Sequence, residues 1–119
     1  MKLTALAPAL LALAAILLAG CGSDDEPTRA PAPAANATVK IEDFLYAPKT
    51  VTVKSGAEVK FENLDTAPHT ATIAEGAMKF DTDTIAKGET KSVTFDKPGT
   101  YAYICLFHPY MKGTVEVEG

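Results

Sequence analysis

Basic side chains are scarce in this chain. Its 119 residues include 11 lysines and arginines against 15 aspartates and glutamates, which gives a formal net charge of −4. The basic residues are scattered, so the sequence has no positive patch suited to nucleic acid or to an anionic lipid surface. Nucleic acid is therefore not expected as a partner, and most of the acidic side chains are expected to form a solvated surface.

Cysteine and histidine are scarcer still. Two cysteines in an exported chain would ordinarily suggest one disulfide. Cys21, however, ends an almost wholly Ala- and Leu-rich stretch that follows Lys2. This stretch is short for spanning a bilayer and has the flanks of a secretory signal peptide. A transmembrane anchor helix is the alternative interpretation of the same stretch.

The segment Leu18-Ala19-Gly20-Cys21 resembles the lipobox of bacterial lipoproteins. That resemblance implies that residues 1–20 are a lipoprotein signal peptide and that the Cys21 sulfur carries a diacylglyceryl group. The thioether lipid together with N-acylation would give stable anchoring, because more than one acyl chain is needed for that. We therefore expect an exported protein, lipid-anchored to the outer face of the cytoplasmic membrane or held in the periplasm and cell envelope. No disulfide is expected, because Cys21 would be consumed by the lipid.

The segment that follows, residues 21–35, is predicted to be a tether. It contains Pro27, Pro31 and Pro33 among alanines and acidic residues, and after Cys21 it has no aromatic or large aliphatic side chain to bury. Such a composition favours a disordered or extended chain. It would reach roughly 20 Å as a coil and about 43 Å in the polyproline conformation.

From residue 36 the hydrophobic pattern changes to a period of two. Neither a helical period nor an internal repeat is present, and turn signals such as Lys54-Ser55-Gly56-Ala57 separate the alternating stretches. The apolar positions of these stretches are Val39, Ile41, Val51, Val53, Val59, Phe61, Val93, Phe95, Tyr101, Tyr103, Cys105, Val115 and Val117. The pattern predicts an all-β domain over residues 36–119, a small antiparallel β-sandwich or barrel.

Four side chains with metal-donor atoms lie where such strands end. Cys105, His108 and Met111 follow the spacing C-x2-H-x2-M, and His69 lies just past an upstream strand. Two imidazole nitrogens, a thiolate and a weak axial thioether are the donor set of a mononuclear electron-transfer copper site. Singly, each residue has an ordinary explanation, such as a core histidine or a buried cysteine acting as a small hydrophobe. Together, and with both histidines of the chain used, they favour copper.

Residues 99–117, GTYAYICLFHPYMKGTVEV, resemble the cupredoxins, the small blue copper proteins. The two-residue gap between His108 and Met111 resembles the amicyanin branch, since plastocyanins have a longer gap there. Upstream, Val59-x-Phe61-x-Asn63 followed by Pro68-His69 resembles the first ligand region of the family. The resemblance covers residues 37–119 and implies a Greek-key β-sandwich. Thr70, Leu106 and Phe107 depart from the residues that are common in the family.

The resemblance also implies roles for single residues. One copper ion would be bound by Nδ1 of His69 and His108, by the Cys105 thiolate and by Met111 as a long axial ligand. Asn63 would tie the loop bearing His69 to the Cys105 strand by hydrogen bonding. His108 would be the ligand nearest solvent, and redox proteins would dock around it. The implied partner patch consists of Ala67, Pro68, Phe107, Pro109 and Tyr110.

These observations predict a membrane-tethered, monomeric carrier of single electrons rather than an enzyme. A copper storage or delivery module with the same ligands is the nearest alternative. A structural zinc site is a second alternative, against which Met111 counts because zinc rarely takes thioether sulfur. A Cys105–His108 nucleophile pair would leave Met111 and His69 unexplained. A lipid-tethered β-sandwich that binds only a protein partner would lack stoichiometric copper.

Overall fold

The structure is a computed structural model that describes residues 32–119. The predicted signal peptide, the lipidation site Cys21 and most of the tether lie outside the described residues. Residues 32–119 form strands joined by turns and loops: β1 (Ala34–Glu42), β2 (Leu45–Ala47), β3 (Thr50–Asn63), β4 (Thr72–Glu75), β5 (Thr90–Phe95), β6 (Gly99–Ile104) and β7 (Lys112–Glu118). Within this described part, no helix has the length and apolar character that crossing a membrane requires.

The strands pair in the order β2-β1-β3-β7-β6-β4, and β5 pairs with β3. The predicted all-β sandwich is confirmed. Its pairing is mixed, because β1–β3 and β3–β7 are parallel while the other pairs are antiparallel. The chain reverses direction twice, before and after the short β2, and so brings β3 beside β1 in the same direction. β1 begins at Ala34, before the predicted domain start at residue 36, since Ala34 already pairs with Val53.

Strand β3 belongs to both layers of the sandwich. Residues 50–54 pair with β7, and residues 57–62 pair with β5. The sequence predicted a turn at residues 54–57, but the structure has a bend within one continuous strand, because ladder partners on either side keep the chain extended. Gly56 lies at the bend with φ of 90°, a conformation that residues with a side chain rarely adopt. Such bends are how one strand passes from one sheet to the other.

The core is formed by the apolar strand positions that the period of two predicted. All of them are buried apart from Val93, which is partly buried and packs against the core. Aromatic rings dominate this core: Tyr46 and Tyr103 are 4.7 Å apart and Phe95 and Tyr101 are 5.2 Å apart between centroids. Each such pair adds about 0.5–1.5 kcal/mol beyond its buried area. The result is a rigid frame beneath the loops that follow β1, β3 and β6.

Tyr103 requires a glycine on the neighbouring strand. It pairs with Gly113 of β7, and a Cβ at Gly113 would overlap the Cζ and Oη atoms of the Tyr103 ring. The ring therefore occupies the space beside Gly113 at the start of β7, directly after the loop that carries the metal donors. This contact connects the aromatic core to the functional end of the domain.

Candidate metal centre

The loop of residues 105–111 is pinned at both ends by the β6–β7 ladder. The ladder ends at the pair Ile104–Lys112. One step further, the Cys105 N–H donates to the Met111 carbonyl over 3.2 Å, and the Met111 N–H donates to the His108 carbonyl over 2.9 Å. Two backbone bonds thus close a loop of seven residues and bring Cys105, His108 and Met111 close together.

His69 reaches the same point from another part of the chain. Its N–H donates to the Ile85 carbonyl over 3.2 Å, and the Ile85 N–H donates back over 2.7 Å. This isolated bridge holds His69 against the long connection between β4 and β5. The His69 side chain is fully buried, so its position is set by packing as well as by the backbone.

Three donor atoms come together around the buried Cys105. The Sγ of Cys105 lies 3.7 Å from Nδ1 of His69 and 3.8 Å from Nδ1 of His108, and the three residues have donor atoms within 4.8 Å of one another. Three donors about 2.0–2.3 Å from a central ion in a trigonal plane would be about 3.5–4.0 Å apart. The two nitrogen–sulfur distances fall in that range, so the donor set fits a trigonally bound ion.

Met111 lies next to this set and offers a fourth donor, a thioether sulfur. Its side chain is buried, with 2% of its surface exposed, and its backbone groups bind both Cys105 and His108. A thioether suits a copper site with two imidazoles and a thiolate, whereas hard cations prefer oxygen ligands. The four predicted metal residues are therefore assembled at one end of the sandwich.

Thr70, next to His69, connects the two ligand-bearing segments. The Thr70 N–H donates to Cys105 Sγ over 3.4 Å, and the Thr70 Oγ1 accepts from the Leu106 N–H over 2.9 Å. An N–H donated to sulfur stabilises the thiolate that binds metal. The sequence marked Thr70 only as a departure from the family, and its role follows from contacts 35 and 36 residues away along the chain.

The predicted role of Asn63 needs a correction. Asn63 does hold the loop that bears His69, since its Nδ2 donates to the Ala67 carbonyl over 2.9 Å. Its other bond, however, goes to the Ile85 carbonyl over 2.8 Å and not to the Cys105 strand. Ile85 rather than the Cys105 strand is the neighbour of Asn63 because β3 ends beside the connection that precedes β5. The link to Cys105 is made by Thr70.

Asp65 was not singled out from the sequence, although an acid four residues before a candidate ligand histidine is a visible signal. Its Oδ2 lies 2.8 Å from Nε2 of His69. Burial raises the pKa of the Asp65 carboxyl, but the hydrogen bonds it accepts outweigh burial and hold the pKa below its ordinary value of 3.8. An ionised carboxylate only accepts, so the His69 proton resides on Nε2 and the Nδ1 lone pair faces Cys105.

Phe44 was also missed, and no local signal in the sequence points to it. It lies in the two-residue turn between β1 and β2, where Asp43 and Phe44 have φ values of 55° and 59°. Its ring is 5.2 Å from the His69 ring and 4.9 Å from the His108 ring, nearly perpendicular to both. The contact exists because the turn after β1 and the loops after β3 and β6 meet at the same end of the sandwich.

His108 is half-buried, and two aromatic rings lie beside it, with centroid distances of 4.9 Å for Phe44 and 6.1 Å for Tyr110. Of the predicted partner patch, Pro68 and Pro109 are exposed, Phe107 and Tyr110 are 50% and 69% exposed, and Ala67 is half-buried. Four further large apolar side chains are exposed at this end of the sandwich. They are Phe44 in the turn after β1, Leu45 at the start of β2, Leu64 directly after β3 and Leu106 in the loop after β6. We call all of these residues the apolar rim.

Comparison with known proteins agrees with this geometry. Residues 33–118 match the copper binding proteins of the plastocyanin/azurin family. The chain belongs to this family. It is 35% identical to amicyanin-alpha of Methylorubrum extorquens, over 99% of this chain and 100% of that protein. It is 30% identical to the amicyanin of Paracoccus versutus, over 92% of each.

Solved structures also indicate the copper-protein family. An oxidised amicyanin variant is similar with a TM-score of 0.65 and 31% identity, over 71% of this chain and 83% of the other. A copper-containing nitrite reductase of Thermus scotoductus is similar with a TM-score of 0.66 and 33% identity, over 76% of this chain but only 23% of the reductase. The chain is thus a cupredoxin of amicyanin type that binds one copper ion, and it matches only a part of the reductase.

Proposed function

We propose that this protein carries single electrons between redox proteins through a type 1 copper centre. The observation that carries the proposal is the trio of donors formed by Cys105, His69 and His108, with sulfur–nitrogen distances of 3.7 Å and 3.8 Å. Cys105 and His108 lie in a loop that two backbone bonds close. A site that is ordered by the protein frame changes little between Cu(II) and Cu(I), and a small rearrangement favours fast electron transfer.

The ligand roles form part of the proposal. His69 and His108 would hold copper through Nδ1, Cys105 would hold it as a thiolate, and Met111 would add its thioether sulfur as a weak ligand. When bound, the copper supplies reversible one-electron exchange. The protein residues hold the donors, exclude water from the sulfur and, through the Thr70 N–H, stabilise the thiolate charge.

The apolar rim is the proposed docking surface for redox partners. His108 is half-buried beside Phe44 and Tyr110 of this rim, whereas His69 is fully buried. The shortest route between the copper and a docked protein would therefore run through the His108 imidazole. Phe107 and Tyr110 offer large exposed areas beside it. A surface of this kind suits brief encounters, since apolar contacts need no matched charges.

The cellular location that we propose for the protein is based on its amino-terminal residues. Residues 1–20 are proposed to be a signal peptide, Cys21 to be lipidated, and residues 21–35 to tether a single cupredoxin domain of residues 36–119 to the membrane. The Leu18-Ala19-Gly20-Cys21 segment supports this. We further propose that the mature protein is an exported monomer of the cell envelope, and that it is a carrier and not an enzyme.

A visible spectrum of the copper-loaded, oxidised protein tests the function. A type 1 centre gives an intense thiolate-to-copper absorption, which Cys105→Ala should abolish, and reduction should bleach it reversibly. Incubation with a copper chelator is the companion measurement. Rapid loss of copper would identify a storage or delivery module, and a Cys105→Ala protein that stayed blue would exclude the assignment.

A further inference from the structure

The turn between β1 and β2 combines an unfavourable backbone with an aromatic side chain. Glu42 and Leu45 pair across the hairpin, and Asp43 and Phe44 form its two-residue loop, both with positive φ. Such loops favour glycine in the second position, because a bulky residue is strained there. A strained residue often serves a purpose outside its own turn, and for Phe44 that purpose is found at the metal centre.

The ring of Phe44 completes a triangle with the two imidazoles. The centroid distances are 5.2 Å from Phe44 to His69, 4.9 Å from Phe44 to His108 and 5.2 Å between the histidines. Phe44 is 37% exposed and His69 is fully buried, so the Phe44 ring lies between His69 and solvent. In this position its ring restricts the space in which the His108 imidazole can rotate.

One carboxylate connects this turn to the buried histidine. Asp65 Oδ2 accepts from the Phe44 N–H over 3.0 Å and from His69 Nε2 over 2.8 Å, while its Oδ1 accepts from the Asp43 N–H over 2.8 Å. The Asp65 N–H is in turn bound by Asn63 Oδ1 over 2.9 Å. The same oxygen therefore orients one imidazole and fixes the backbone that carries the ring packed against the other.

We propose that Asp65 is a positioning residue for both imidazoles. It holds His69 directly through Nε2, and it holds His108 indirectly by fixing the turn that carries the Phe44 ring. The inference rests on the proposed role of the two histidines as copper ligands, but it concerns an order of side chains that is present before copper binds. Removal of a residue that is hydrogen-bonded to a metal ligand typically lowers metal affinity by about 10–100-fold.

Asp65→Asn is an informative substitution because it keeps the shape of the side chain. The carboxylate accepts three hydrogen bonds on two oxygens, whereas an amide offers one oxygen and an NH2 group that would face N–H donors. Either His69 or the turn therefore loses its partner. Phe44→Ala removes only the ring, and Leu45→Ala is the matched control, since it removes an apolar side chain that is 64% exposed on the next residue.

The experiment follows the histidine side chains of the copper-free protein by NMR. The chain has two histidines, so long-range 1H–15N spectra contain two imidazole systems, which report tautomer and exchange between conformers. We expect the wild-type protein to hold His69 as the Nε2–H tautomer and His108 in one conformer. Asp65→Asn should disturb the His69 tautomer and broaden the His108 signals through exchange. Phe44→Ala should broaden His108 but leave the His69 tautomer, and Leu45→Ala should change neither.

Copper supplies a second readout. Asp65→Asn should lower copper affinity about 10–100-fold and raise the reduction potential, because it removes a negative charge beside a ligand. In the double variant with Phe44→Ala, the exchange broadening of His108 should be no larger than in either single variant, because both act through the same ring.

The proposal is overturned if Asp65→Asn changes His69 alone, since Asp65 would then be a partner of one ligand only. It is also overturned if Phe44→Ala leaves His108 in a single conformer. Should Asp65→Asn not fold, Phe44→Leu keeps the apolar volume without the ring, and an unchanged His108 in that variant would contradict the proposal. Because these readouts need no copper, failure here is distinct from the absence of a blue centre, which would contradict the proposed function.

Discussion

The backbone N–H of Thr70 donates to the Sγ of Cys105 over 3.4 Å, across 35 residues of sequence. The side chain of the same residue accepts from the Leu106 N–H over 2.9 Å. Two bonds from one residue thus hold the segment after β3 against the segment after β6. Since each segment carries metal donors, the distance between His69 and Cys105 depends on this junction.

Thr70→Val should weaken the junction without changing its shape. Valine keeps the volume and the N–H donated to sulfur but leaves the Leu106 N–H without its acceptor. An unpaired, partly buried amide costs about 1–3 kcal/mol, and we expect that loss in the free energy of unfolding of the copper-free protein, measured in urea. Thr70→Ser keeps the hydroxyl and is the control. Equal stability of the valine and serine variants would mean that this hydrogen bond contributes nothing.

Met111→Leu should leave copper bound but raise its reduction potential. The axial ligand tunes the reduction potential of such centres. Leucine donates no electron pair, and the loss of that donor destabilises Cu(II) more than Cu(I). Cyclic voltammetry and copper stoichiometry provide the measurement. Met78→Leu, at a partly buried methionine packed against the core, is the matched control. An unchanged potential in Met111→Leu would remove Met111 from the ligand set.

Three of the four predicted metal residues are recognisable because their information is local. Cys105, His108 and Met111 lie within one loop, and the alternation that leads into Cys105 predicted correctly that it faces inward. Gly56 shows the limit of local information. Its turn signal predicts the end of a strand, but whether a glycine bend ends a strand depends on the pairing partners on either side. Those partners come from β5 and β7.

Asp65 and Phe44 show a second limit. They touch across 21 residues of sequence, and the turn residues Asp43 and Phe44 are not a favoured pair for a two-residue hairpin. No pattern of hydrophobicity or turn preference places a phenylalanine beside two imidazoles. Their position follows only from the convergence of three loops at one end of the sandwich, which becomes visible once the pairing of β1, β3 and β7 is known.

Gly113→Ala should destabilise the domain through the Tyr103 ring. A Cβ there would overlap ring atoms that sit in a fully buried site, and overpacking of a rigid core costs about 1–3 kcal/mol or more. Thermal unfolding of the copper-free protein gives the measurement. Gly88→Ala is the control for backbone strain. Gly88 has φ of 80° but open space around it, so any loss of stability in that variant comes from the backbone and not from overlap. A Gly113→Ala protein as stable as wild type would show that the ring moves aside freely.

Two buried tyrosines should make the domain lose stability in alkali. Burial raises the pKa of Tyr46, with the nearby Cys105 adding to the effect, and burial raises the pKa of Tyr103, both above the ordinary value of 10.0. Below pH 10 both phenols are protonated in the folded and unfolded states, so their contribution is complete. Above it the unfolded chain ionises first, and the free energy of unfolding should fall as pH rises.

Phenylalanine substitutions distinguish the effect of tyrosine ionisation on stability from the effect of the tyrosine hydrogen bonds. Within residues 32–119 the Tyr103 hydroxyl has no hydrogen-bond partner, whereas the Tyr46 hydroxyl donates to the Thr70 carbonyl. At neutral pH, Tyr103→Phe should therefore be at least as stable as wild type, and Tyr46→Phe less stable by about 1 kcal/mol. Both should flatten the alkaline slope in urea unfolding, while Tyr110→Phe, at a side chain that is 69% exposed, should keep the wild-type slope. A steep slope in both core variants would show that other groups cause the alkaline loss.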